Sequence, residues 1–558
     1  MTDAVTGVPT THTWYDRFFH PFFSSPKAQT ILAFFIVVFF ASINTSSILR
    51  GYSLTRDEDK HYLYGENILS GDSTRFDDSK MPATALNALP QKIAQISGNK
   101  QLIRLGERFY TARAVTIFFS CLIAFLVFYW SRTLYGFLPA IFSLLLYVLD
   151  PNISAHSQLV TTDIYATGTI LFAFFWLWKF ANHRNLGNGL WCLFALGLSQ
   201  IAKYTAVVLF PLFLLTLLIY DLSPWGREKR GDENVRTFLL RYVKYAILAA
   251  VVTMLVINVG FLFNRTFTPF GEYTFHSSLF QSIQNNLPLL NRFPVPVPYP
   301  YLDGLDLIRH NEQSGGTYGN IYLLGRISPV KGFPGYFIIA SILKLPIATQ
   351  IILMLSLVIY FSRKESRINF IKDEMFLLIP VAFFTIYFNF FFNTQIGIRY
   401  FLPVMPFLYV FSGNLFTGWK SFSIVQKAAS WGLVAYLCVS VFSYYPYYLS
   451  YFNEFVWNRT HAYKYLADSN IEWGQGRNEM REYLKQHPDA VRKPQTIQAG
   501  HLVISVDDLV GVTTEPSQYA WLRNNFEPVE TIAYGYLVYK ISPQEIDELC
   551  ATTTYCEK

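Results

Sequence analysis

Long apolar runs alternate with shorter polar segments along the chain, a pattern typical of a protein that crosses a membrane several times. A transmembrane helix needs about 17–25 mostly apolar residues, and by this criterion the sequence predicts about eleven spans. The third and fifth runs are short and need their flanks or a tilt to cross the bilayer. The predicted spans are Ala28–Ile48, Ala114–Trp130, Phe137–Leu149, Ile164–Phe180, Leu190–Ile201, Thr205–Tyr220, Tyr245–Phe263, Tyr336–Phe361, Glu374–Phe392, Phe401–Phe416 and Ala429–Ser443.

The composition agrees with this pattern. Hydrophobic residues make up 52% of the 558 residues and charged residues only 15%, whereas soluble domains average about 25% charged residues. These values exclude a disordered chain, a secreted disulfide scaffold, a coiled coil and a nucleic-acid binder of the basic-patch kind. The sequence therefore indicates a polytopic membrane protein whose helices contact the lipid bilayer.

Basic residues in the short loops predict the orientation, because Lys and Arg concentrate on the cytoplasmic side. Five such loops share one side if the N-terminus is cytoplasmic, and an odd span count then places the C-terminus outside. We expect a transmembrane domain over residues 1–443 with long outer loops at 50–113 and 264–335, and an extracytoplasmic domain over 444–558. The basic residues that set this orientation are Arg132, Lys179, Arg184, Arg227, Lys229, Arg230, Arg236, Arg241, Lys244, Arg363, Lys364, Arg367, Lys372, Lys420 and Lys427.

The predicted outer domain has the pattern of a small α/β module. Arg477–Gln486 has the periodicity of an amphipathic helix, and Gln498–Val506 and Thr531–Ile541 have that of strands. Cys550 and Cys556 both lie in this tail. A disulfide between them and two free thiols are equally compatible with the sequence.

Two adjacent acids, Asp57 and Glu58, follow the first span. At the membrane surface such a pair can supply the general base that activates a hydroxyl group. The simpler interpretation is an acidic helix start that complements the helix dipole.

A second acid, Asp163, ends the outer turn between the third and fourth spans, and His156 lies in the same turn. Asp163 also fits an ordinary helix start before an apolar run. The functional interpretation brings Asp163 and His156 beside Asp57, with His61 one helical turn further on. Carboxylates and imidazoles can hold a divalent metal, so these three residues are candidate ligands, although no tight ligand motif is present.

Several cations lie where the positive-inside tendency does not place them. Lys203 falls between the fifth and sixth spans, Arg399 directly before the tenth, Lys344 inside the eighth and Arg113 at the entry to the second. Cations at such positions usually mark an anionic ligand, and Arg and Lys both suit phosphate. Contact with ordinary lipid headgroups is the alternative for each.

Taken in order, these segments resemble the dolichyl-phosphate-mannose:protein mannosyltransferase superfamily, and in particular its bacterial, polyprenyl-phosphate-sugar-dependent members of the GT-C fold (the glycosyltransferase family 39, PMT-like group). The resemblance extends over nearly the whole chain, although residues 78–82 depart from the usual His-Pro-Pro segment. The segments that carry the resemblance are Asp57-Glu58, Pro151–Asp163, Tyr322–Gly325, Lys344–Pro346, Gly397–Pro406, Tyr448–Glu454 and Asp468–Gln475.

The resemblance implies an all-α GT-C membrane protein with two juxtamembrane helices between Lys60 and Arg113, lying in a bacterial plasma membrane. It implies an inverting glycosyltransferase that moves a hexose or pentose from a polyprenyl-phosphate donor to a hydroxyl group of a protein, lipid or glycan. Asp57 would be the base and Glu58 would orient the hydroxyl or share its proton. The donor phosphate would be bound by Lys203, Arg399, Tyr400 and Arg113. It leaves the metal question open, since some relatives use a metal and others none.

Two other functions remain open. A transporter or flippase for lipid-linked saccharides would carry charges deep within its spans and show repeat symmetry, whereas this chain keeps its acids at the rim. A non-catalytic scaffold of envelope glycan assembly would keep the fold and lose the acids. The sequence specifies neither the sugar nor the acceptor.

Overall fold

The computed structural model describes residues 25–556 apart from 73, 75–79, 232 and 315–318, and this part of the chain is mostly helical. The helices are α1 (Pro26–Leu49), α2 (Glu58–Leu69), α3 (Ala85–Ser97), α4 (Lys100–Glu107), α5 (Tyr110–Tyr135), α6 (Phe137–Val148), α7 (Pro151–Ser157), α8 (Asp163–Asn182), α9 (Leu186–Gln200), α10 (Leu209–Leu222), α11 (Pro224–Arg230), α12 (Val235–Gly260), α13 (Ser278–Asn286), α14 (Tyr299–Ser314), α15 (Tyr336–Lys344), α16 (Ile347–Ser362), α17 (Lys364–Asn369), α18 (Met375–Phe390), α19 (Met405–Ser412), α20 (Ile424–Phe442), α21 (Arg477–Gln486), α22 (Val506–Val510), α23 (Ala520–Asn525) and α24 (Pro543–Thr552). The strands are β1 (Ile321–Leu323), β2 (Arg326–Ser328), β3 (Val491–Arg492), β4 (Gly500–Ser505), β5 (Glu530–Ile532) and β6 (Tyr536–Ile541).

In the described residues, 6 helical segments are long and apolar enough to cross a membrane, and bent helix pairs raise this number to 8 at most. The six correspond to the first, second, fourth, sixth, seventh and eleventh predicted spans. The fifth and ninth are the shorter helices α9 and α18, of 15 and 16 residues. The prediction of a multi-pass membrane protein is therefore confirmed, whereas the count of about eleven spans is not. The six segments are α1, α5, α8, Tyr204–Leu222 (a 3-10 turn continuing into α10), α12 and α20.

Two predicted spans, the eighth and the tenth, are not single helices. The eighth consists of α15 and α16, which meet at 117°. The third predicted span coincides with α6, and α7 follows beyond its end at 62°. In the eighth, Leu345 is extended and Pro346 follows it. Proline cannot donate a helical hydrogen bond and disfavours helix in the residue before it, which explains this break. The tenth span is two 3-10 turns, Ile398–Val404 and Gly413–Phe416, on either side of the short helix α19.

Helix α8 lies at the centre of the membrane part. Inside its apolar window 78% of residues are buried, compared with 17% for α12 and for α20, which leaves those two helices with wide faces for lipid. Helix α8 packs against α5, α9 and the turn Ile398–Val404. Asp163, its first residue, is therefore held inside the protein, where the positive end of the helix dipole favours a carboxylate.

The two long loops contain helical structure of their own. Three helices, α2, α3 and α4, lie between the first two spans, where the resemblance implied two between Lys60 and Arg113. The later loop contains α13, α14 and a hairpin of β1 and β2, with Ile321 opposite Ser328. Residues 78–79 of the departing segment 78–82 lie outside the described residues.

The C-terminal region is the predicted small α/β module. Helix α21 coincides with the predicted helix, and the sheet has the order β3-β4-β6-β5, with β3 parallel to β4 and the other pairs antiparallel. The second predicted strand is a hairpin, because the chain turns between β5 and β6. Cys550 and Cys556 form a disulfide. One hydrophobic core joins this module to the helices, which fixes residues 468–475 against the membrane part.

Candidate functional site

The adjacent acids Asp57 and Glu58 have different surroundings. Glu58 is fully buried, and its carboxylate accepts two hydrogen bonds from Arg113, at 2.9 Å from Nε and 2.7 Å from a terminal nitrogen. The backbone N–H groups of Thr55 and Val160 donate to the same carboxylate at 2.8 and 3.1 Å. Both oxygens of Glu58 are thus satisfied within the protein.

Arg113 is enclosed together with Glu58. Only 1% of it is exposed, and its two terminal nitrogens also donate to the carbonyl oxygens of Tyr52 and Ser53 at 2.9 and 3.0 Å. The pair fastens the start of α2 to α5 and to the end of α1. Since four hydrogen bonds to oxygen already engage the guanidinium, the geometry favours a positioning role for Arg113 over contact with a phosphate.

Asp57 faces a different set of groups. Its side chain is 30% exposed, and one oxygen lies 3.5 Å from a terminal nitrogen of Arg399. The same nitrogen lies 4.0 Å from Asp163, and Asp163 accepts a hydrogen bond from Lys203 at 2.6 Å. We call Asp57, Asp163, Lys203 and Arg399 the reaction cluster. It contains two acids and two cations, drawn from four separate parts of the chain.

Arg399 is the least satisfied member of the reaction cluster. It is only 8% exposed, yet its contacts to Asp57 and Asp163 are long and its Nε is buried without a partner in the described structure. A buried guanidinium with free donors is expensive for the protein, and an incoming anion would remove that cost. Arg399 therefore marks a place for an anionic ligand.

Local backbone structure positions Arg399. It lies in the turn Ile398–Val404, directly after Gly397, whose φ of 115° favours glycine. A Cβ at Gly397 would also collide with Ser469. The N–H of Ile398 donates to Asn470 at 3.0 Å, so the C-terminal module holds this turn in place.

Aromatic rings cover both cations of the reaction cluster. The Arg399 guanidinium lies 4.1 Å from the centre of the Trp473 ring, and the Lys203 ammonium lies 4.2 Å from that of Tyr400. Such contacts hold a cation without neutralising it. Trp473 was not singled out in the sequence analysis for this role, although it stands in the segment Asp468–Gln475 that carries the resemblance.

Two buried histidines flank the reaction cluster. The Nδ1 atoms of His156 and His61 have no partner in the described structure, and His156 lies 6.2 Å from Trp473, ring centre to ring centre. Burial, together with the charge of Lys80, lowers the pKa of His61 to about 3, so this ring is neutral. A neutral ring nitrogen can serve a ligand as a hydrogen-bond partner.

The predicted metal candidates Asp163, His156 and His61 do not meet as a three-ligand site. In the part of the chain that the structure describes, three such ligand atoms come together only at residues 487, 489 and 501. The carboxylate of Asp163 is also already engaged with Lys203 and faces Arg399. This donor set fits an ion-pair cluster better than a metal centre.

Lys344 is held by backbone carbonyl groups. Its ammonium is buried and donates to the carbonyl oxygens of Leu449 and Asn470 at 2.7 and 2.5 Å. It secures the break between α15 and α16 to the C-terminal module. This position explains an intramembrane lysine without a phosphate.

Two cavities are lined by residues that neighbour members of the reaction cluster, although no member of the cluster lines either cavity. The first, of about 800 Å³, is apolar and runs between α9, α10 and α12, with Val207 and Tyr301 among its lining residues. The second, of about 520 Å³, is lined by Arg56, Gly319, Asp468 and residues 512–515. We call them the apolar cavity and the polar pocket. Tyr301, which lines the apolar cavity, lies 6.0 Å, ring centre to ring centre, from Tyr204, the residue after Lys203. Arg56, which lines the polar pocket, directly precedes Asp57.

Arg56 and Asp468 form part of a charged wall in the polar pocket. Arg56 pairs with Glu472 at 2.8 Å and Asp507 at 3.0 Å. Asp468 has a left-handed backbone, with φ of 58°, a conformation that costs free energy in a residue other than glycine. Burial raises the pKa of Asp468 to about 6, and the nearby Asp57 adds to this rise.

Comparison with known proteins supports a mannosyltransferase-like chain. Residues 100–230 match the family model of dolichyl-phosphate-mannose-protein mannosyltransferase. This segment includes Arg113, His156, Asp163 and Lys203, so the sequence resemblance is confirmed over it. No curated protein sequence matches the chain significantly.

Solved structures of membrane glycosyltransferases are similar to the chain at low identity. ArnT from Cupriavidus metallidurans bound to undecaprenyl phosphate has 14% identity and a TM-score of 0.47, covering 74% of this chain and 62% of ArnT. The Archaeoglobus fulgidus oligosaccharyltransferase in its apo form has 15% identity and a TM-score of 0.45, covering 74% and 54%. AglB from the same organism, in complex with an inhibitory peptide and a dolichol-phosphate, has 14% identity and a TM-score of 0.43, covering 77% and 55%. The chain thus spans less than two thirds of the length of these structures.

Proposed function

We propose that the protein is an inverting glycosyltransferase that uses a polyprenyl-phosphate sugar as donor and a hydroxyl group as acceptor. The observation that carries the proposal is Arg399, a buried guanidinium whose Nε has no partner in the described structure. It lies between Asp57 and Asp163, and Asp163 also binds Lys203. The family-model match over residues 100–230 supports the same reaction class.

The donor enters through the apolar cavity. A polyprenyl tail is a branched hydrocarbon, and a cavity of about 800 Å³ between α9, α10 and α12 offers it an apolar surface. The donor phosphate then lies at Lys203 and Arg399, near one end of this cavity. Arg399 exchanges its long contacts with the two acids for short hydrogen bonds to the phosphate. A cation–π contact with Tyr400 positions the Lys203 ammonium.

The chemical step uses Asp57 as base. Asp57 takes the proton of the acceptor hydroxyl, and the oxygen attacks the anomeric carbon on the face opposite the phosphate. The new C–O bond forms as the bond to the phosphate oxygen breaks, which inverts the anomeric configuration. The polyprenyl phosphate leaves with its negative charge stabilised by Arg399 and Lys203. No metal is needed to balance this step.

Glu58 and Arg113 act as positioning residues. Their saturated pair fixes the start of α2, and with it the backbone of Asp57, against α5. This role differs from the sequence-based expectation, in which Glu58 shares the proton and Arg113 binds phosphate. His156 and Trp473 form the wall against which the sugar lies, because His156 presents an unpartnered ring nitrogen there.

The acceptor approaches through the polar pocket, whose wall includes Arg56 next to the base and the buried Asp468. With the orientation that the basic loops predict, acceptor and donor meet at the outer surface of a bacterial plasma membrane. The acceptor hydroxyl belongs to a protein, a lipid or a glycan.

The test is donor turnover by the purified protein in detergent. A panel of polyprenyl-phosphate sugars is supplied with a mixture of hydroxyl acceptors, and released polyprenyl phosphate is measured. We expect one donor to be consumed with inversion at the anomeric carbon. A detergent solution has no second compartment, so a flippase or a scaffold would consume none of them, and that result would refute the proposal.

A further inference from the structure

Two histidines and an aspartate come together in the C-terminal module, outside the reaction cluster. One ligand atom from each of His487, Asp489 and His501 lies within 4.8 Å of the other two. His487 and Asp489 belong to the loop after α21, and His501 lies on β4. The cluster thus joins a loop to a strand of the central sheet.

The hydrogen bonds of His501 prepare one of its ring nitrogens for an ion. Its Nδ1 lies 3.1 Å from a carboxylate oxygen of Asp489, and its Nε2 lies 3.1 Å from the hydroxyl of Tyr483. The Tyr483 hydroxyl in turn donates to Glu530 at 2.5 Å. The Tyr483 hydroxyl can therefore accept from Nε2–H, and a metal bound at Nδ1 would take the place of the proton that His501 shares with Asp489. A metal-bound histidine in a protein shows the same arrangement, with its second nitrogen donating to an oxygen.

We propose that His487, Asp489 and His501 bind a divalent transition metal, Zn²⁺ by ligand type, with water as fourth ligand. Two imidazoles and one carboxylate suit Zn²⁺ and do not suit Mg²⁺ or Ca²⁺, which take oxygen ligands. Around a tetrahedral Zn²⁺ the ligand atoms lie about 3.3 Å apart. The distance from His501 Nδ1 to the Asp489 carboxylate is already close to that value. His487 and the exposed Asp489 lie on a loop, and a small movement of this loop would bring the other ligand atoms to the same distance.

A bound ion would tie the end of α21 to β4. Helix α21 begins four residues after Trp473, which covers Arg399, so the ion would stiffen the segment that borders the reaction cluster. The inference stands independently of the proposed function, because it concerns binding and stability in a different part of the molecule.

The test measures Zn²⁺ binding by the full chain, free of any histidine tag, in detergent. Equilibrium dialysis at about 10 µM free Zn²⁺ should give one ion per chain, and the thermal unfolding midpoint should rise with Zn²⁺ and not with Mg²⁺ or Ca²⁺. D489N and H487Q should each weaken binding at least about tenfold. Neither side chain is buried, so both variants should fold and keep the unfolding midpoint of the metal-free protein.

Two further variants sharpen the test. H461Q is the matched control: His461 pairs with Glu527 at 3.0 Å without a third ligand in the described structure, so this change should leave Zn²⁺ affinity unaltered. Y483F removes the oxygen that holds His501 and should weaken binding about tenfold. The proposal is overturned if the chain binds no Zn²⁺ in dialysis, or if the H487Q/D489N double variant binds it as tightly as the unaltered protein.

Discussion

Two adjacent acids, Asp57 and Glu58, each contact an arginine, and the two contacts differ in burial, distance and hydrogen bonding. Glu58 and Arg113 are fully enclosed, form two short hydrogen bonds with each other and use their remaining capacity on neighbouring backbone groups. Asp57 and Arg399 lie 3.5 Å apart, Asp57 is partly exposed, and Arg399 keeps a buried nitrogen without a partner in the described structure. We call the first the closed pair and the second the open pair.

The difference assigns a role in stability to the closed pair and a role in the chemical step to the open pair. A closed pair has no capacity left for substrate, so its loss should destabilise the protein. An open pair holds groups whose best partners are absent until substrate arrives, which is the arrangement that electrostatic catalysis requires. Each of the following changes acts on one side of this comparison.

The largest expected effect is on turnover when the open pair loses its base. D57N should lower the rate of sugar transfer about 10³-fold, because an amide cannot take the acceptor proton. The unfolding midpoint should stay unchanged, since Asp57 is partly exposed. Steady-state kinetics and a thermal melt check both statements.

The control for this change is D59N. Asp59 is an exposed acid two residues further along α2, where its carboxylate accepts from the N–H of Lys60. It should retain full turnover. Equal losses in D57N and D59N would show that charge at this surface matters and that Asp57 is not the base.

The next largest effect is on stability when the closed pair is broken. R113M leaves the buried carboxylate of Glu58 uncompensated, which should cost about 3–5 kcal/mol. The midpoint of denaturant unfolding in detergent measures this loss. Normal stability together with a raised KM for the donor would instead place Arg113 at the phosphate, as the sequence resemblance implies.

A smaller effect is expected when the phosphate-binding side of the open pair is weakened. R399K keeps the positive charge but loses the two-pronged guanidinium that would bind the phosphate with paired hydrogen bonds. The value of kcat should therefore fall about 100-fold. Stability should change little, since the native contacts of Arg399 are long. An R399K protein with unaltered kcat would rule out Arg399 as the group that stabilises the leaving phosphate.

The smallest effect is expected at the ring that covers Arg399. W473L removes a cation–π contact of about 1 kcal/mol, which corresponds to a loss of about fivefold in kcat/KM. W521L is the control, because Trp521 is a similarly buried indole of the C-terminal module that packs on Phe526. The same loss of activity in both variants would assign the effect to general packing of the module.

Much of the fold follows from apolar periodicity, because a continuous apolar face is stabilised both in contact with lipid and in the protein core. The six long segments and α21 lie where the sequence places them. The eighth and tenth spans differ because Pro346 and the prolines of 398–416 interrupt helical hydrogen bonding inside apolar runs, where hydropathy alone shows no break.

The sequence singles out the members of the candidate site but not their contacts. Two acids at helix starts, Asp57 and Asp163, and two misplaced cations, Lys203 and Arg399, are brought together by the fold. Residue pattern alone could not separate the surroundings of Asp57 from those of Glu58, because what distinguishes them is Arg113, 55 residues beyond Glu58. The role of Trp473 depends on the C-terminal module docking on the turn at Arg399, a long-range contact that local pattern does not encode.

The most direct test of the account is one acid-to-amide change made at each of two neighbours, D57N and E58Q, with turnover and unfolding midpoint measured for both. The account predicts that D57N loses turnover and keeps its midpoint. It predicts that E58Q loses stability, and that the molecules still folded at low temperature keep most of their turnover. The reverse pattern, with E58Q folded but inactive and D57N active, would contradict the central claim that the open pair performs the chemistry.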